Sequence, residues 1–428
     1  VSSELLVLLP IVRMIVAGSE VSLTERSRSP SCTALFGFSW LKMNPLAIKP
    51  EYAAVMPPAL SASDRERLDA LYHEVIRKRE TFVGYPCTGH FDYSDLFHFL
   101  SLPINNVGDP FSPCAYHLHT RVFEREVLDW FAELMHAPAD DWWGYVTNGG
   151  TEGNLYGLYL ARELYPEGMA YYSQDTHYSV SKNLRLLRMS HIMIRSQPNG
   201  EIDYEDLRET IRIHRDATPI IFANIGTTMR EGVDDVERIQ WILKDLAIPE
   251  SYIHADAALC GMTLPFIEGA PRFDFSTGIQ SLSISGHKLI GSPVPCGVVL
   301  ALKQNVDRIA RSIEYVGTLD TTITGSRNAI TPLMLWYAIR SRGMEGFGTI
   351  VNGCIQRAEY AVDKLKLLGI AAWRNPHAIT VVFPRPATAV LEKWQLAVQE
   401  DFAHIMVMPH VTREKIDELI ADIGANPS

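Results

Sequence analysis

The stretch "WGYVTNGGTEGNLYGLYLARELY", residues 143–165, changes character in its middle. It opens on aromatic and β-branched residues broken by one glycine, the composition of a strand. Asn148, Gly149 and Gly150 then form a turn, and the remainder reads as a helix. A strand that runs through glycines into a helix is half of a βαβ unit. The same alternation continues downstream. "MAYYSQ" (169–174), "TPIIFANIG" (218–226), "YIHADAAL" (252–259), "QSLSISG" (280–286) and "CGVVLALK" (296–303) read as strands. "HYSVSKNLRLLRM" (177–189) and "VDDVERIQWILKDL" (233–246) read as helices between them. Apolar strands alternating with helices predict a mainly parallel sheet, helices covering both faces.

Upstream, "SASDRERLDALYHEVIRKRE" (61–80) repeats Leu68, Leu71 and Val75 at helical spacing. "RVFEREVLDWFAELM" (121–135) puts Val127, Phe131 and Leu134 on one helical face. From about residue 332 helices return, in "PLMLWYAIRSRG" and "IVNGCIQRAEYAVDKLKLLG". The strand "AITVVFP" and the helix "TREKIDELIADIG" complete a smaller C-terminal α+β unit. The expected division is 1–45 as a disordered or translated upstream extension, 46–115 as a helix-and-loop segment, 116–331 as the large domain and 332–428 as the small one.

With 428 residues, 47% of them hydrophobic, the chain can bury an enzyme-sized core. A formal net charge of -11 without any basic cluster argues against a nucleic-acid partner. Six cysteines, at 32, 87, 114, 260, 296 and 354, show neither CxxC pairs nor zinc spacing, so reduced thiols in a cytoplasm and no metal are expected. The apolar run 4–18 is interrupted by Pro10 and Arg13 and is too short to span a bilayer.

Three pieces of chemistry stand in order along the large domain. The "TNGGTEGN" turn can bring backbone N–H groups and the Thr151 hydroxyl to an anion at a helix start, or can be an ordinary glycine-rich turn. No GxGxxG or Walker pattern supports a nucleotide. Asp256 closes an apolar strand between Ala255 and Ala257, where a carboxylate needs a partner, whether a ligand cation or its own turn. Lys288, 32 residues later in "SLSISGHKLIGSPVPCG" (281–297), sits among small residues, where a desolvated amine can condense with an aldehyde. An anion cradle, an acid for a ring nitrogen and a reactive lysine together suit pyridoxal phosphate. His177 in "SQDTHYSV" adds an imidazole able to stack on one ring face, with Ala258 against the other.

"HADAA" with "SGHK" resembles the group II pyridoxal-phosphate-dependent amino-acid decarboxylases, and the resemblance runs from about Gly84 to Ile423. "GYP", "FDYS", "INNVGDPF", "WGYVTNGGTEGN", "THYSV", "GEIDYEDL", "NIGTT", "SGHKLIGSPVPCG" and "TGSRN" resemble the histidine decarboxylase and serine decarboxylase branch. The resemblance implies the fold-type I, aspartate-aminotransferase-like architecture and a homodimer whose active sites are shared at the interface. It implies Lys288 as the cofactor lysine, Asp256 beside the pyridine nitrogen and His177 stacked on the ring. Gly150, Thr151, Ser285 and His287 match phosphate-side positions, Thr228 lies near the ring hydroxyl, and Gly325 and Ser326 are expected on the cofactor. Tyr315 falls in a loop that reaches the partner's site in relatives and could return a proton to the substrate Cα.

Histidine to histamine is the first expectation for the reaction, with serine to ethanolamine and an apolar substrate such as valine or methionine as alternatives. Tyr85, His90, Asp92 and His119 supply polar candidates for an imidazole, with Tyr93 and His117 nearby. Ile330, in "SRNAI" where relatives commonly carry "SRNGH", is expected to make the substrate pocket more apolar where that loop lines it. A fold-type I aminotransferase is the alternative of another class. It would need an arginine for the substrate carboxylate, for which Arg374 and Arg385 are available.

Overall fold

The computed structural model describes residues 60–313 and 318–426; the expected N-terminal extension and Tyr315 lie outside them. Internal contacts separate Val1–Arg65 from Glu66–Ser428. Of the first unit only residues 60–65 are described, and there Ser61 Oγ accepts from the Asp64 N–H as a helix begins.

Ten α-helices lie among the described residues: α1 (Ala62–Arg79), α2 (Arg121–Leu134), α3 (Gly150–Leu164), α4 (Ser179–Leu187), α5 (Tyr204–Ile213), α6 (Val236–Asp245), α7 (Lys303–Asp307), α8 (Ile330–Leu367), α9 (Thr388–Trp394) and α10 (Arg413–Ala425). The large sheet contains β1 (Trp143–Thr147), β2 (Met169–Ser173), β3 (Ser190–Ile194), β4 (Pro219–Asn224), β5 (Tyr252–Asp256), β6 (Ser281–Ser285) and β7 (Gly297–Ala301). Their order is β1-β7-β6-β5-β4-β2-β3. The pairs from β3 through to β6 are parallel, while β7 runs antiparallel to both β6 and β1.

Every residue of β1, β4, β5, β6 and β7 is buried, as expected of strands with helices on both faces. Side chains alternate between two cores. Ile221, Ile253, Ala255, Leu282 and Ile284 pack with Val127 and Phe131 of α2 on one face. Ile220, Phe222 and Tyr252 pack with Tyr156, Leu158 and Ala161 of α3 on the other. Strand β3 is not expected from sequence: it is a short strand at the sheet edge, four of its five residues are at least partly exposed, and its apolar run is only Ile192–Ile194.

Short strands β8 (Arg311–Ile313) and β9 (Thr318–Asp320) pair antiparallel. Helix α8 then departs from helical geometry at Gly343, whose φ of 60° is open to glycine at no steric cost. It leads to a three-stranded antiparallel sheet of β10 (Thr380–Pro384), β11 (Ala397–Gln399) and β12 (Phe402–Met406), in the order β10-β12-β11. The residues at helical spacing in α1, Leu68, Leu71 and Val75, are exposed, as is the neighbouring Tyr72.

Candidate active site

The C-terminal ends of the parallel strands converge on one cavity of about 130 Å³. Open α/β sheets place ligands at this edge. Gly150, Thr151, His177, Thr228, Asp256, Ala258, Ser285, His287 and Lys288 all line it.

The turn after β1 is held by side chains rather than by sequence alone. Glu152 accepts from the Asn148 backbone N–H at 2.9 Å and from the Tyr145 hydroxyl at 3.0 Å. Gly149 enters α3 at φ 142°, where a Cβ would be strained. Gly150 is needed for space: a Cβ there would stand 2.8 Å from Ser285 Oγ. The first N–H groups of α3 thus open onto a recess walled by Thr151, Ser285 and His287.

Asp256 ends β5 and is 7% exposed. Its Oδ2 accepts from Asn154 Nδ2 at 2.7 Å and its Oδ1 from the Ala258 N–H at 3.2 Å. Those two donors hold the carboxylate at the cavity wall and offset part of its desolvation.

Lys288 lies in the turn after β6. Burial pulls its ammonium below the ordinary lysine range, with Asp256 opposing, so the neutral, nucleophilic amine is more accessible. Its carbonyl accepts from the Thr88 hydroxyl at 3.0 Å, and the Leu289 carbonyl accepts from the same hydroxyl at 3.1 Å. His287 is turned by donation from Nδ1 to the Cys296 carbonyl at 3.0 Å.

His177 stands just before α4. Ser179 donates to Nδ1 from both its hydroxyl, at 2.8 Å, and its backbone N–H, at 3.3 Å, which leaves the ring proton on Nε2. Burial lowers its pKa, against the pull of Asp256, and favours the neutral ring. A neutral imidazole, a carboxylate, a desolvated amine and an anion recess therefore share one small space. The residues fit pyridoxal phosphate, whose phosphate end would be held by Gly150, Thr151, Ser285 and His287.

Asn154, Asn224, Gly226, Thr227, Leu259, Pro86 and Met406 also line the cavity, and sequence reasoning did not single them out. Asn154 had a signal: it lies one helical turn beyond Gly150, on the same face. Asn224 had one too, as a polar residue ending an apolar strand, and it stands directly across from Asp256 in the β4–β5 ladder. Pro86 and Met406 come from distant segments and carried none.

Other expected residues lie elsewhere within the chain. Tyr85 is exposed and stacks on Phe82, with ring centroids 5.7 Å apart. His90 meets the His410 ring edge-on at 6.1 Å, and Asp92 accepts from the Ser94 N–H. Arg121 donates its backbone N–H to His119 Nδ1. Ile330 opens α8, its N–H bonded to Asn328 Oδ1. Gly325 and Ser326 line a separate groove with Asn105 and Tyr116, where Asn105 Nδ2 donates to Ser326 Oγ at 3.1 Å. The physical reason is their position on outer loops, away from the strand ends. Arg374 donates to the Ala378 carbonyl, and neither it nor Arg385 lines the cavity.

Residues 112–383 match the pyridoxal-dependent decarboxylase conserved domain. A histidine decarboxylase of Mesorhizobium japonicum is 50% identical over 365 residues, covering 85% of this chain and 99% of that protein. A histidine decarboxylase of Morganella morganii is 50% identical over 370 residues, covering 86% and 98%. Among solved structures, the L-methionine decarboxylase from Streptomyces sp. 590 superposes with a TM-score of 0.80 at 26% identity, covering 87% of this chain and 96% of that one.

Proposed function

The chain belongs to the pyridoxal-dependent decarboxylase family, and on that premise we propose that it converts L-histidine to histamine and CO2. The observation that carries the substrate is the 50% identity to the Mesorhizobium histidine decarboxylase, over 99% of that protein's length.

Pyridoxal phosphate, when bound, supplies an aldehyde that condenses with amines and a ring that draws electrons from the bond being broken. Lys288 would offer the amine that holds the cofactor, and Asp256 would face its ring nitrogen and favour a proton there. His177 and Ala258 would flank the ring. Gly150, Thr151, Ser285 and His287 would hold the phosphate, and Thr228 would lie near the ring hydroxyl. Leu259, Pro86 and Met406 narrow the space around Lys288 and exclude water.

The second part of the proposal is a cytoplasmic homodimer with shared sites. Leu68, Leu71, Tyr72 and Val75 of α1, with Phe97, Leu100, Leu102 and Leu118, are large apolar side chains left exposed, which supports a partner surface. A second copy of this chain covers it. Gly325, Ser326 and Tyr315 then reach the partner's cavity, Tyr315 returning a proton to the substrate Cα. His119 and Ile330 belong to the same surface, since the Thr120 hydroxyl donates to the Ala329 carbonyl at 2.7 Å and ties the two segments together. Tyr85, His90 and Asp92, outside the cavity within one chain, are proposed as polar partners for the imidazole only once a second copy packs against them. Five free cysteines among the described residues suit a reducing compartment. No helix among those residues is long and apolar enough to cross a membrane.

The apolar lining by Leu259, Pro86 and Met406 favours a second reading, an aliphatic substrate such as methionine or valine. The test measures CO2 release from histidine, serine, valine, leucine and methionine and compares kcat/KM. A pocket built to bond imidazole nitrogens discriminates sharply against side chains lacking them. A lead of tenfold or more for serine or an aliphatic amino acid, about 1.4 kcal/mol of transition-state preference, would end the histidine assignment and leave the decarboxylase standing.

A further inference from the structure

Asp256 is the last member of a buried hydrogen-bond chain that starts four residues earlier on the same strand. Tyr252, His254 and Asp256 alternate along β5, so their side chains share one face. The Tyr252 hydroxyl lies 2.8 Å from Ser281 Oγ, and Ser281 Oγ lies 2.7 Å from His254 Nδ1. His254 Nε2 is 3.0 Å from Asn154 Oδ1, and Asn154 Nδ2 is 2.7 Å from Asp256 Oδ2. Tyr252, Ser281 and His254 are fully buried, and Asn154 is 2% exposed.

The protons in this chain have one consistent arrangement. An anionic Asp256 can only accept, so Asn154 must point its NH2 group there and its carbonyl oxygen at His254. That oxygen can only accept, so His254 must carry its proton on Nε2. Nδ1 is then bare and takes the Ser281 hydroxyl proton, and Ser281 takes the one from Tyr252. Burial pushes the His254 pKa down to about 3, so the ring is neutral with a single proton to place. Reversing the Asn154 amide would set its oxygen against the carboxylate and strand the His254 N–H. The helix makes room for this arrangement at Gly157, where a Cβ would stand 2.1 Å from His254 Nδ1.

We propose that His254 is a positioning residue for decarboxylation: by fixing the Asn154 amide it keeps an N–H donor on Asp256 and the carboxylate aimed at the cofactor ring nitrogen. The proposal rests on the reading of Asp256 as the partner of that nitrogen. His254 touches neither cofactor nor substrate in this arrangement. It acts by removing the alternative orientation of Asn154.

The test uses holoenzyme reconstituted with cofactor carrying 15N at the ring nitrogen, in wild type, Asp256→Asn, His254→Met and His254→Gln. The 15N signal reports protonation of that atom whether or not the enzyme turns over. His254→Met removes the donor at similar volume. It should move the signal toward the unprotonated form and lower kcat about tenfold to a hundredfold, the range for losing an outer partner of a catalytic group, with KM little changed. His254→Gln keeps an N–H donor and should recover most of both. A wild-type signal and kcat in folded His254→Met overturn the proposal. If that variant does not fold, the tautomer of His254 in wild-type enzyme labelled with 15N-histidine decides: a proton on Nε2 supports the chain and one on Nδ1 refutes it. Asp256→Asn separates the two levels. If it leaves the nitrogen protonated, the reading of Asp256 fails and the relay falls with it. If it shifts the signal while His254→Met does not, the relay alone is wrong.

Discussion

Alanine at position 150 places a methyl group where the anion recess has none. A Cβ there stands 3.7 Å from Ala258 Cβ, an ordinary contact, but 2.8 Å from Ser285 Oγ, which is too close. Ser285 is 2% exposed, so its hydroxyl must swing out of the recess rather than into solvent. A hydrogen bond from a hydroxyl to a charged phosphate contributes about 1.5–3 kcal/mol. Its loss should raise the Kd for pyridoxal phosphate roughly 10- to 150-fold. Folding stability without cofactor should change little, because the gain from replacing a helical glycine, up to about 1 kcal/mol, opposes the cost of displacing the buried Ser285 hydroxyl. Fluorescence titration of the apoprotein reads the first quantity and thermal unfolding without cofactor reads the second. Ser285→Ala and the double variant complete a cycle. If Gly150→Ala acts by displacing the hydroxyl, the double variant binds no more weakly than Ser285→Ala alone. Unchanged affinity in Gly150→Ala, or losses that simply add, would refute the role given to Ser285.

Borohydride reduction of the holoenzyme should fix the cofactor to Lys288, read by peptide mass, and Lys288→Ala should give no adduct; an adduct on another lysine removes Lys288 from the reaction. Acid should weaken the fold through His254. The unfolded chain takes a proton below about pH 6.5 while the native ring resists until about pH 3, so stability is lost as pH falls through that window. The loss reaches about 2 kcal/mol by pH 5, and His254→Gln should shrink the drop in urea midpoint between pH 7 and pH 5. Parallel profiles for the two proteins would contradict this. Mixing inactive Lys288→Ala and Tyr315→Phe protomers should restore part of the activity if the site is shared across a dimer, and no recovery after demonstrated subunit exchange counts against sharing.

The cradle, Asp256 and Lys288 were legible because each sits at a strand end whose apolar run and small flanking residues are local features. Strand periodicity then brings three distant segments to one edge without further information. Asn154 and His254 were not legible as a pair. One lies on a helix and the other in a strand a hundred residues later, and only the packing of α3 on β5 joins them. The polar cluster Tyr85, His90, Asp92 and His119 illustrates the opposite case. Composition suggests a binding site, but within one chain these residues turn outward, and no short-range pattern says which face a loop presents. The apolar stripe of α1 was read correctly as a stripe. Periodicity does not tell whether such a face is buried by its own chain or by another.

The segment before Lys288 has a consequence for synthesis. His410 Nε2 donates to the Phe82 carbonyl at 2.7 Å across 328 residues, and His404 Nε2 to the Gly84 carbonyl across 320. Thr88 reaches Lys288 across 200. Residues 82–90 therefore leave the ribosome long before any of these partners exist. At about 5–20 residues per second, Phe82 waits roughly 16–66 s for His410. During that interval Phe82 lacks its His410 partner on the nascent chain. The loop that carries Thr88 to Lys288 therefore lacks the hydrogen bond from the Gly89 N–H to His410 Nδ1 until the last residues of the chain have emerged.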